Sequence, residues 1–307
     1  MKNKQYDIVI VGAGPAGMTA ALYALRAGRS TLLLEGQSYG GQIIQSRKVE
    51  NYPGTPEIGG VELAEQMMSQ LRALDAEVIS ARVTGIVKAT DGYEVLSTDA
   101  AYTARAVILA TGVTHRKLGV VGEEGLIGRG VSFCATCDGM FFRRREVAVV
   151  GGGNTAVQDA LVLSEICSKV YLIHRRDTFR AERYLLDRLA KAENIEIITD
   201  SVVTEIKGEF ALQAVILKNV KTDVVRELPV AGVFEAVGVL PQNAAFADVV
   251  DLDTDGYIVA DEGCQTSATG IFAAGDCRQK QIRQLTTATA DGTVAALAAC
   301  EYLDHQN

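Results

Sequence analysis

Twice in this chain a run of apolar residues stops at a glycine turn, and a helix of small residues begins. Tyr6-Asp7-Ile8-Val9-Ile10-Val11 runs into Gly12-Ala13-Gly14-Pro15-Ala16-Gly17, and Val147-Ala148-Val149-Val150 runs into Gly151-Gly152-Gly153-Asn154-Thr155-Ala156. Such apolar runs suit parallel strands that are covered on both faces. After each helix comes a second strand, Thr31-Leu32-Leu33-Leu34 ending at Glu35 in the first case and Lys169–Ile173 in the second. Each set is a βαβ unit, for which a right-handed crossover is expected. The repeat extends further, because Ala106-Val107-Ile108-Leu109-Ala110-Thr111-Gly112 is echoed by Phe234-Glu235-Ala236-Val237-Gly238. A repeat at this level defines the architecture. The expected fold is α/β, with two Rossmann-like (three-layer ββα) nucleotide-binding domains, the second inserted into the first.

A chain of 307 residues is long for one core and agrees with two domains. The first is expected from both ends of the chain, 1–115 and 246–307, and the second from 116–245. An amphipathic helix is expected at about Val61–Leu74, then short strands through about Val95. Past residue 245 come Gly256-Tyr257-Ile258-Val259, the strand Ile271–Ala274, and a terminal helix over about Leu285–Leu303.

In each glycine turn the first two small residues allow close backbone approach to a pyrophosphate, and the third lets helix pack on strand. The anion then rests at the helix N-terminus, where free N–H groups and the helix dipole favour it. A glycine-rich turn alone is weak evidence; strand before and helix after supply the required context. Gly12, Gly14 and Gly17 satisfy the pattern, with Glu35 placed to accept hydrogen bonds from ribose hydroxyls. In the second turn Gly151, Gly153 and Ala156 hold the three places, and the second strand ends in His174-Arg175-Arg176-Asp177-Thr178-Phe179-Arg180. Guanidinium groups there would bind a 2′-phosphate that a carboxylate would repel, so NADPH is expected rather than NADH. A solvated basic turn is the plainer alternative, and the position after the second strand counts against it.

Just ahead of the second turn lies Cys134-Ala135-Thr136-Cys137, followed by Asp138. Two thiols at this spacing can close and reopen a disulfide, one of them tuned towards thiolate. The adjacent carboxyl group can give or take a proton. No second CxxC or CxxH completes a tetrahedral zinc site. The remaining cysteines, at 167, 264, 277 and 300, are scattered, which argues against a secreted disulfide framework. Met1-Lys2-Asn3-Lys4 leads into the first strand with no signal-type apolar region, and no run approaches the length of a membrane span, so a cytoplasmic location is expected. The formal net charge of −8 excludes a bulk nucleic-acid binder without excluding a local basic pocket. Gly275-Asp276 closes a late strand; in a flavin protein this aspartate can meet ribityl hydroxyls. The helix after Arg283-Gln284 can aim its positive end at the flavin pyrimidine. His115 and His305 read as surface residues, and Cys277 as a small buried hydrophobe or an oxidation-sensitive thiol.

With these segments assembled, the chain resembles the bacterial low-molecular-weight thioredoxin reductases. The shared run also takes in Gly40-Gly41-Gln42, Glu50-Asn51-Tyr52-Pro53-Gly54, Ala110-Thr111-Gly112 and Cys134-Ala135-Thr136-Cys137-Asp138-Gly139. The resemblance implies a homodimer containing FAD that reduces the disulfide of thioredoxin with NADPH. It casts Cys137 as the flavin-facing thiol, Cys134 as the thiol attacking thioredoxin, and Asp138 as the proton carrier. It adds Gly40, Gly41, Gln42, Asn51, Asp276, Arg283 and Gln284 as flavin contacts, and Val83 at the adenine. It also implies rotation of the nucleotide domain between two orientations, with hinges expected at 113–117 and 243–247. The segment Gly238-Val239-Leu240-Pro241-Gln242-Asn243 departs from the family run, which bears on local nucleotide contacts. Competing readings are a disulfide reductase for another thioredoxin- or glutaredoxin-like carrier, a ferredoxin- or flavodoxin-linked reductase, which lacks the dithiol, and a flavin redox sensor without turnover.

Overall fold

The computed structural model describes residues 5–46 and 49–306, so Met1–Lys4, ahead of the expected first strand, lies outside them. Two compact units are present: Met1–Thr114 with Leu240–Asn307, and His115–Val239.

In the first unit Glu77–Ser80, Thr31–Glu35, Gln5–Val11, Ala101–Leu109 and Ile271–Ala273 lie side by side in that order, all parallel. Side chains of a strand alternate between faces, and here both faces are buried. Ile8, Ile10, Leu33, Ile108 and Phe272 pack with Met18, Ala20 and Ala24 of the helix Pro15–Arg26, and with Ala295 and Ala299 of the helix Leu285–Asp304. Their neighbours Val9, Val11, Leu32, Leu34, Val107 and Leu109 pack with Ile86, Tyr93 and Val95. Those three belong to the antiparallel strands Val83–Ala89 and Gly92–Ser97. Helices, parallel sheet and antiparallel strands thus form three layers. Fully burying each such Val, Leu or Ile is worth roughly 1.5–3 kcal/mol, which explains the unbroken apolar stretches Ile8–Val11, Leu32–Leu34 and Ala106–Leu109 at the heart of the sheet.

The second unit repeats the plan. Ile195–Ile198, Lys169–Ile173, Glu146–Gly151, Gly232–Ala236 and Val131–Ser132 form its parallel sheet. One face, with Val147, Val149, Val170, Leu172 and Phe234, meets Ala156, Val157 and Ala160 of the helix Asn154–Ser164. The other, with Ala148, Val150, Tyr171, Ile173 and Val233, meets Val203, Ile206, Val215, Leu217 and Leu228. These come from three antiparallel strands, Ser201–Gly208, Leu212–Asn219 and Val225–Pro229. The expected α/β class with two Rossmann-like, three-layer ββα domains is the fold this chain adopts.

Some boundaries differ from the sequence expectation. The inserted unit ends at Val239 rather than at residue 245. The reason is Asn243, fully buried, whose Nδ2 donates to Gly256 O at 2.9 Å and Cys277 O at 2.8 Å while its Oδ1 accepts from Thr111 Oγ1 at 2.8 Å. All of these partners belong to the first unit. The strand expected from Ala106 begins at Ala101, since its first half pairs antiparallel with Gly92–Ser97 and its second half parallel with Ile271–Ala273. Gly256–Val259 makes only isolated bridges, from Ile258 to Leu252 and Arg278.

Candidate active site

Each glycine turn sits at the C-terminal end of the first strand of its βαβ unit, where chain direction must reverse within a few residues. At Gly12 φ is +105°, and a Cβ there would overlap Ala110 O. A Cβ on Gly17 would overlap Gly12 O, so the helix Pro15–Arg26 is pressed against its own turn. Gly14 caps that helix, Pro15 stands at its start where no N–H is needed, and Ala16 is buried beneath it. Glu35 reaches back into the turn: Ala13 N donates to Oε2 at 2.7 Å and Gln37 N to Oε1 at 2.8 Å. A carboxylate is therefore fixed at the mouth of the turn, each oxygen keeping lone pairs for hydroxyl donors. Val83 begins the strand two residues beyond Ala81, whose N–H donates to Glu35 O at 2.8 Å.

Around this turn the structure brings together most of the expected flavin-side residues. Gly40 N donates to Ala13 O at 2.8 Å, and Gly41 opens a 3₁₀ turn so close to Gly14 that a Cβ would stand 3.2 Å from its Cα. Gln42 Nε2 donates to Val113 O. Asn51 Nδ2 donates to Gln284 Oε1 at 3.3 Å, and Gln284 caps the helix Leu285–Asp304. Ala110, Thr111 and Gly112 follow the strand Ala101–Leu109, with Thr111 tied to Asn243. Arg283 lies over the Tyr257 ring, 4.1 Å from its centroid, and its Nε donates to Asp276 O at 3.4 Å.

Asp276 stands out chemically. It follows Gly275 in a 3₁₀ turn, and its Oδ1 is buried with no hydrogen-bond partner among the described residues. Burial pushes its carboxyl up to about 6, against the pull of Lys280 and Arg283. A buried acceptor without a donor costs stability until one arrives, and hydroxyl groups are suitable donors. Cys277 is fully buried, its Sγ donating to Leu109 O and Ala274 O at 3.3 Å. It is packing here, as are Cys167, Cys264 and Cys300, all buried.

Sequence reading missed the group beneath this turn. Asp291, on the helix Leu285–Asp304, receives Arg278 Nε at 2.8 Å and Nη2 at 2.9 Å, Lys280 Nζ at 2.8 Å and Gly275 N at 3.0 Å. Burial works to raise its carboxyl, but the Arg278 and Lys280 hydrogen bonds outweigh that and hold it below the ordinary range. Nothing in the local pattern marks an aspartate within a small-residue helix as the hub of such a cluster.

In the second unit the equivalent turn carries the opposite charge. Gly153 caps the helix Asn154–Ser164, with Thr155 exposed in its first turn and Ala156 buried. A Cβ on Gly152 would overlap the His174 ring, which stacks on Phe179 at 5.1 Å and meets Thr178 O through Nε2 at 3.1 Å. Burial lowers the His174 pKa, and Arg175, Arg176 and Arg180 act in the same direction, so all three guanidinium groups lie within electrostatic reach of the ring. The three arginines are exposed, and none has an ion pair among the described residues. Arg180 N donates to Gly152 O at 2.8 Å, and Asn154 exchanges two 2.8 Å hydrogen bonds with Glu182. These bonds bind the basic loop to the glycine turn.

The dithiol occupies a short helix, Ala135–Asp138, capped by Cys134, and the two thiols are joined as a disulfide. Cys134 and Cys137 are both half-buried. Ser132, unremarked in the sequence, links the parts: its Oγ accepts from Cys134 N at 3.2 Å and donates to Asp138 Oδ2 at 2.6 Å. Burial pushes the Asp138 carboxyl up, and the Ser132 bond pulls the other way. An acid with a raised pKa is suited to lending a proton near neutrality. His115, expected at the surface, is instead half-buried and stacked on Phe133 at 4.6 Å. Phe133 adjoins Cys134 in the chain, and this packing holds the imidazole neutral, its pKa lowered to about 4 by burial.

Comparison with known proteins agrees with this construction. Residues 6–292 match the family model described as pyridine nucleotide-disulphide oxidoreductase. A thioredoxin reductase of Treponema pallidum is 46% identical over 97% of this chain and 97% of its own. One of Listeria monocytogenes is 45% identical over 99% of this chain and 95% of its own. The crystal structure of thioredoxin reductase from Streptococcus pyogenes superposes with a TM-score of 0.94 at 44% identity, covering 99% of this chain and 100% of that one. With two three-layer nucleotide-binding folds and a redox-active dithiol in one of them, the chain belongs to the pyridine nucleotide-disulphide oxidoreductases and, among them, to the bacterial thioredoxin reductases.

Proposed function

We propose that this enzyme, an NADPH-dependent flavin disulfide oxidoreductase, reduces the disulfide of a thioredoxin, and that the first unit holds FAD while the second holds NADPH and the dithiol. The observation that carries the reading is the Cys134–Cys137 disulfide with Asp138 joined to it through Ser132.

The residues suit both cofactors. Asp276 Oδ1 is a buried acceptor lacking a donor, as a ribityl hydroxyl would require. Gly12, Gly14 and Gly41 leave bare backbone where a pyrophosphate would rest, with Glu35 at the ribose side. Arg175, Arg176 and Arg180 offer free guanidinium donors to a 2′-phosphate, with Gly153 and Asn154 opening the helix beside them. When bound, FAD would supply a carrier for the two electrons that an NADPH hydride brings to the disulfide.

Reduction adds two electrons and two protons to Cys134–Cys137 and opens it to two thiols. Cys134 gives its proton to the Asp138 carboxylate and attacks one sulfur of the thioredoxin disulfide, forming a mixed disulfide and expelling the other sulfur as a thiolate. Asp138 passes that proton to the leaving thiolate and is restored. Cys137 then attacks Cys134 Sγ, its own proton going by the same route to the departing thioredoxin sulfur, which releases reduced thioredoxin and restores the starting disulfide. Cys137 is the thiol assigned to the flavin side.

Rotation about the chain crossings at Thr114–His115 and Val239–Leu240 belongs to the same proposal, and a crosslink locking them should stop turnover with FAD retained. So do a homodimer, measurable by sedimentation, and a cytoplasmic location. For the location the support is that among the described residues no helix is long and apolar enough to cross a membrane. The decisive experiment replaces Cys134 or Cys137 by serine. Thioredoxin reduction should vanish while NADPH-to-dye electron transfer persists; undiminished thioredoxin reduction in either variant rejects the assignment.

A further inference from the structure

Asp276 owes its free oxygen to its surroundings. Lys280, nearly buried, lies within electrostatic reach of the Asp276 carboxyl and would be drawn to it if unpaired. It is turned instead onto Asp291 at 2.8 Å, beside Arg278, which meets the same carboxylate through a two-bond fork. The same carboxylate takes the Gly275 N–H at 3.0 Å, which fixes the left-handed glycine (φ +82°) immediately before Asp276. Lys280 Nζ also donates to Thr287 O at 3.4 Å, which draws it towards the helix Leu285–Asp304. Arg283, the other cation near Asp276, is stacked on Tyr257 and donates its Nε to the Asp276 backbone oxygen. Every neighbouring cation is thus occupied by something other than the Asp276 carboxylate.

We propose that Asp291 is a positioning residue for FAD: it fixes the Gly275–Asp276 turn and sequesters Lys280, so that one Asp276 oxygen stays open to a hydroxyl donor. The inference rests on Asp276 being a flavin contact. A buried carboxylate with two hydrogen-bonded cations would otherwise be read as structural only, and structural ion pairs do not depend on which neighbour a freed lysine turns to. Without Asp291, Lys280 swings onto Asp276 and occupies the acceptor, and FAD has to compete with an internal ion pair.

The test measures the FAD dissociation constant from the fluorescence of released flavin, on purified holoenzyme variants with thermal unfolding followed in parallel. D291N should weaken FAD binding about tenfold or more, the loss expected for a charge-assisted hydrogen bond. K280M alone, in which Arg278 and Gly275 still engage Asp291, should bind within about twofold of the parent. The D291N/K280M double variant should recover much of the lost affinity, because the competing cation is gone. A purely structural Asp291 predicts additive losses instead, and a double variant no better than D291N overturns the proposal, as does unchanged affinity in D291N. If D291N does not fold, the double variant is compared with K280M: retained FAD affinity supports the proposal and lost affinity rejects it. D276A separates the two levels. Parent-like FAD binding by D276A removes the flavin-contact reading itself, whereas weak binding by D276A with normal binding by D291N removes the positioning role alone.

Discussion

The two glycine turns share one sequence pattern and one backbone plan, yet they differ at two places. In the first, the third small residue has no room at all, since a Cβ on Gly17 would overlap Gly12 O. In the second, Ala156 fits in the corresponding place and is buried beneath the turn. The second strand ends in opposite chemistry as well, Glu35 bonded into the first turn and His174 with three exposed arginines beside the second. A common fold thus supplies the phosphate cradle, while a few side chains at the end of one strand set which nucleotide it prefers.

The sharpest way to break this comparison is to exchange the third small residues. G17A forces a methyl into the Gly12 carbonyl and should cost about 3 kcal/mol or more, with FAD lost and a lowered Tm in thermal unfolding. A156G, made in the roomier turn, should cost only about 1 kcal/mol, the ordinary helical penalty of glycine. Equal losses in the two turns would show that their packing is alike after all.

Next in size is the charge difference. Replacing Arg175, Arg176 and Arg180 together by alanine should raise KM for NADPH about tenfold or more, as charge-assisted bonds to a 2′-phosphate disappear. KM for NADH should change less than about twofold. Steady-state kinetics with both nucleotides checks this, and parallel changes would place the 2′-phosphate elsewhere.

The smallest expected effect concerns the acid of the first unit that waits for a partner. Burial raises Asp276 to about 6 without ligand, and hydroxyl donors from FAD should bring it down. Binding then favours the ionised form, so affinity should be level above pH 6 and weaken below it, by at most about tenfold per pH unit. The same raised value means that the FAD-free protein carries a cost for ionising Asp276 that is absent at low pH and grows as pH rises towards 6. D276N should flatten the pH dependence of FAD binding in a titration, and a slope that survives the substitution would assign it to another group.

Sequence alone made the repeated unit legible, because strand, glycine turn and helix are contiguous and each leaves a local pattern. The dithiol was legible for the same reason. What stayed hidden depends on residues distant in the chain. Asp291 meets Gly275, Arg278 and Lys280 only once its helix has packed, and in sequence it is one aspartate among alanines and threonines. Ser132 acquires meaning only when a short helix turns Asp138 back upon it. The end of the inserted unit was misplaced because Asn243, a polar residue in an apparent linker, is wholly enclosed by first-unit backbone. His115 was read as a surface residue for want of any local sign that Phe133 would cover it.

The discontinuity of the first unit bears on how the molecule is made. Ile271–Ala273 pairs with the second half of Ala101–Leu109, partners separated by the whole of the other unit, so the sheet cannot be completed until the ribosome has passed residue 273. His115–Val239 is a continuous stretch and is free to mature while translation is still under way. Once it has done so, it shortens the span that the last strand must close, and the late half of the chain finds its register against a framework already in place. The first unit is therefore the last to be finished, and premature termination leaves a complete second unit and a first-unit sheet open along one edge.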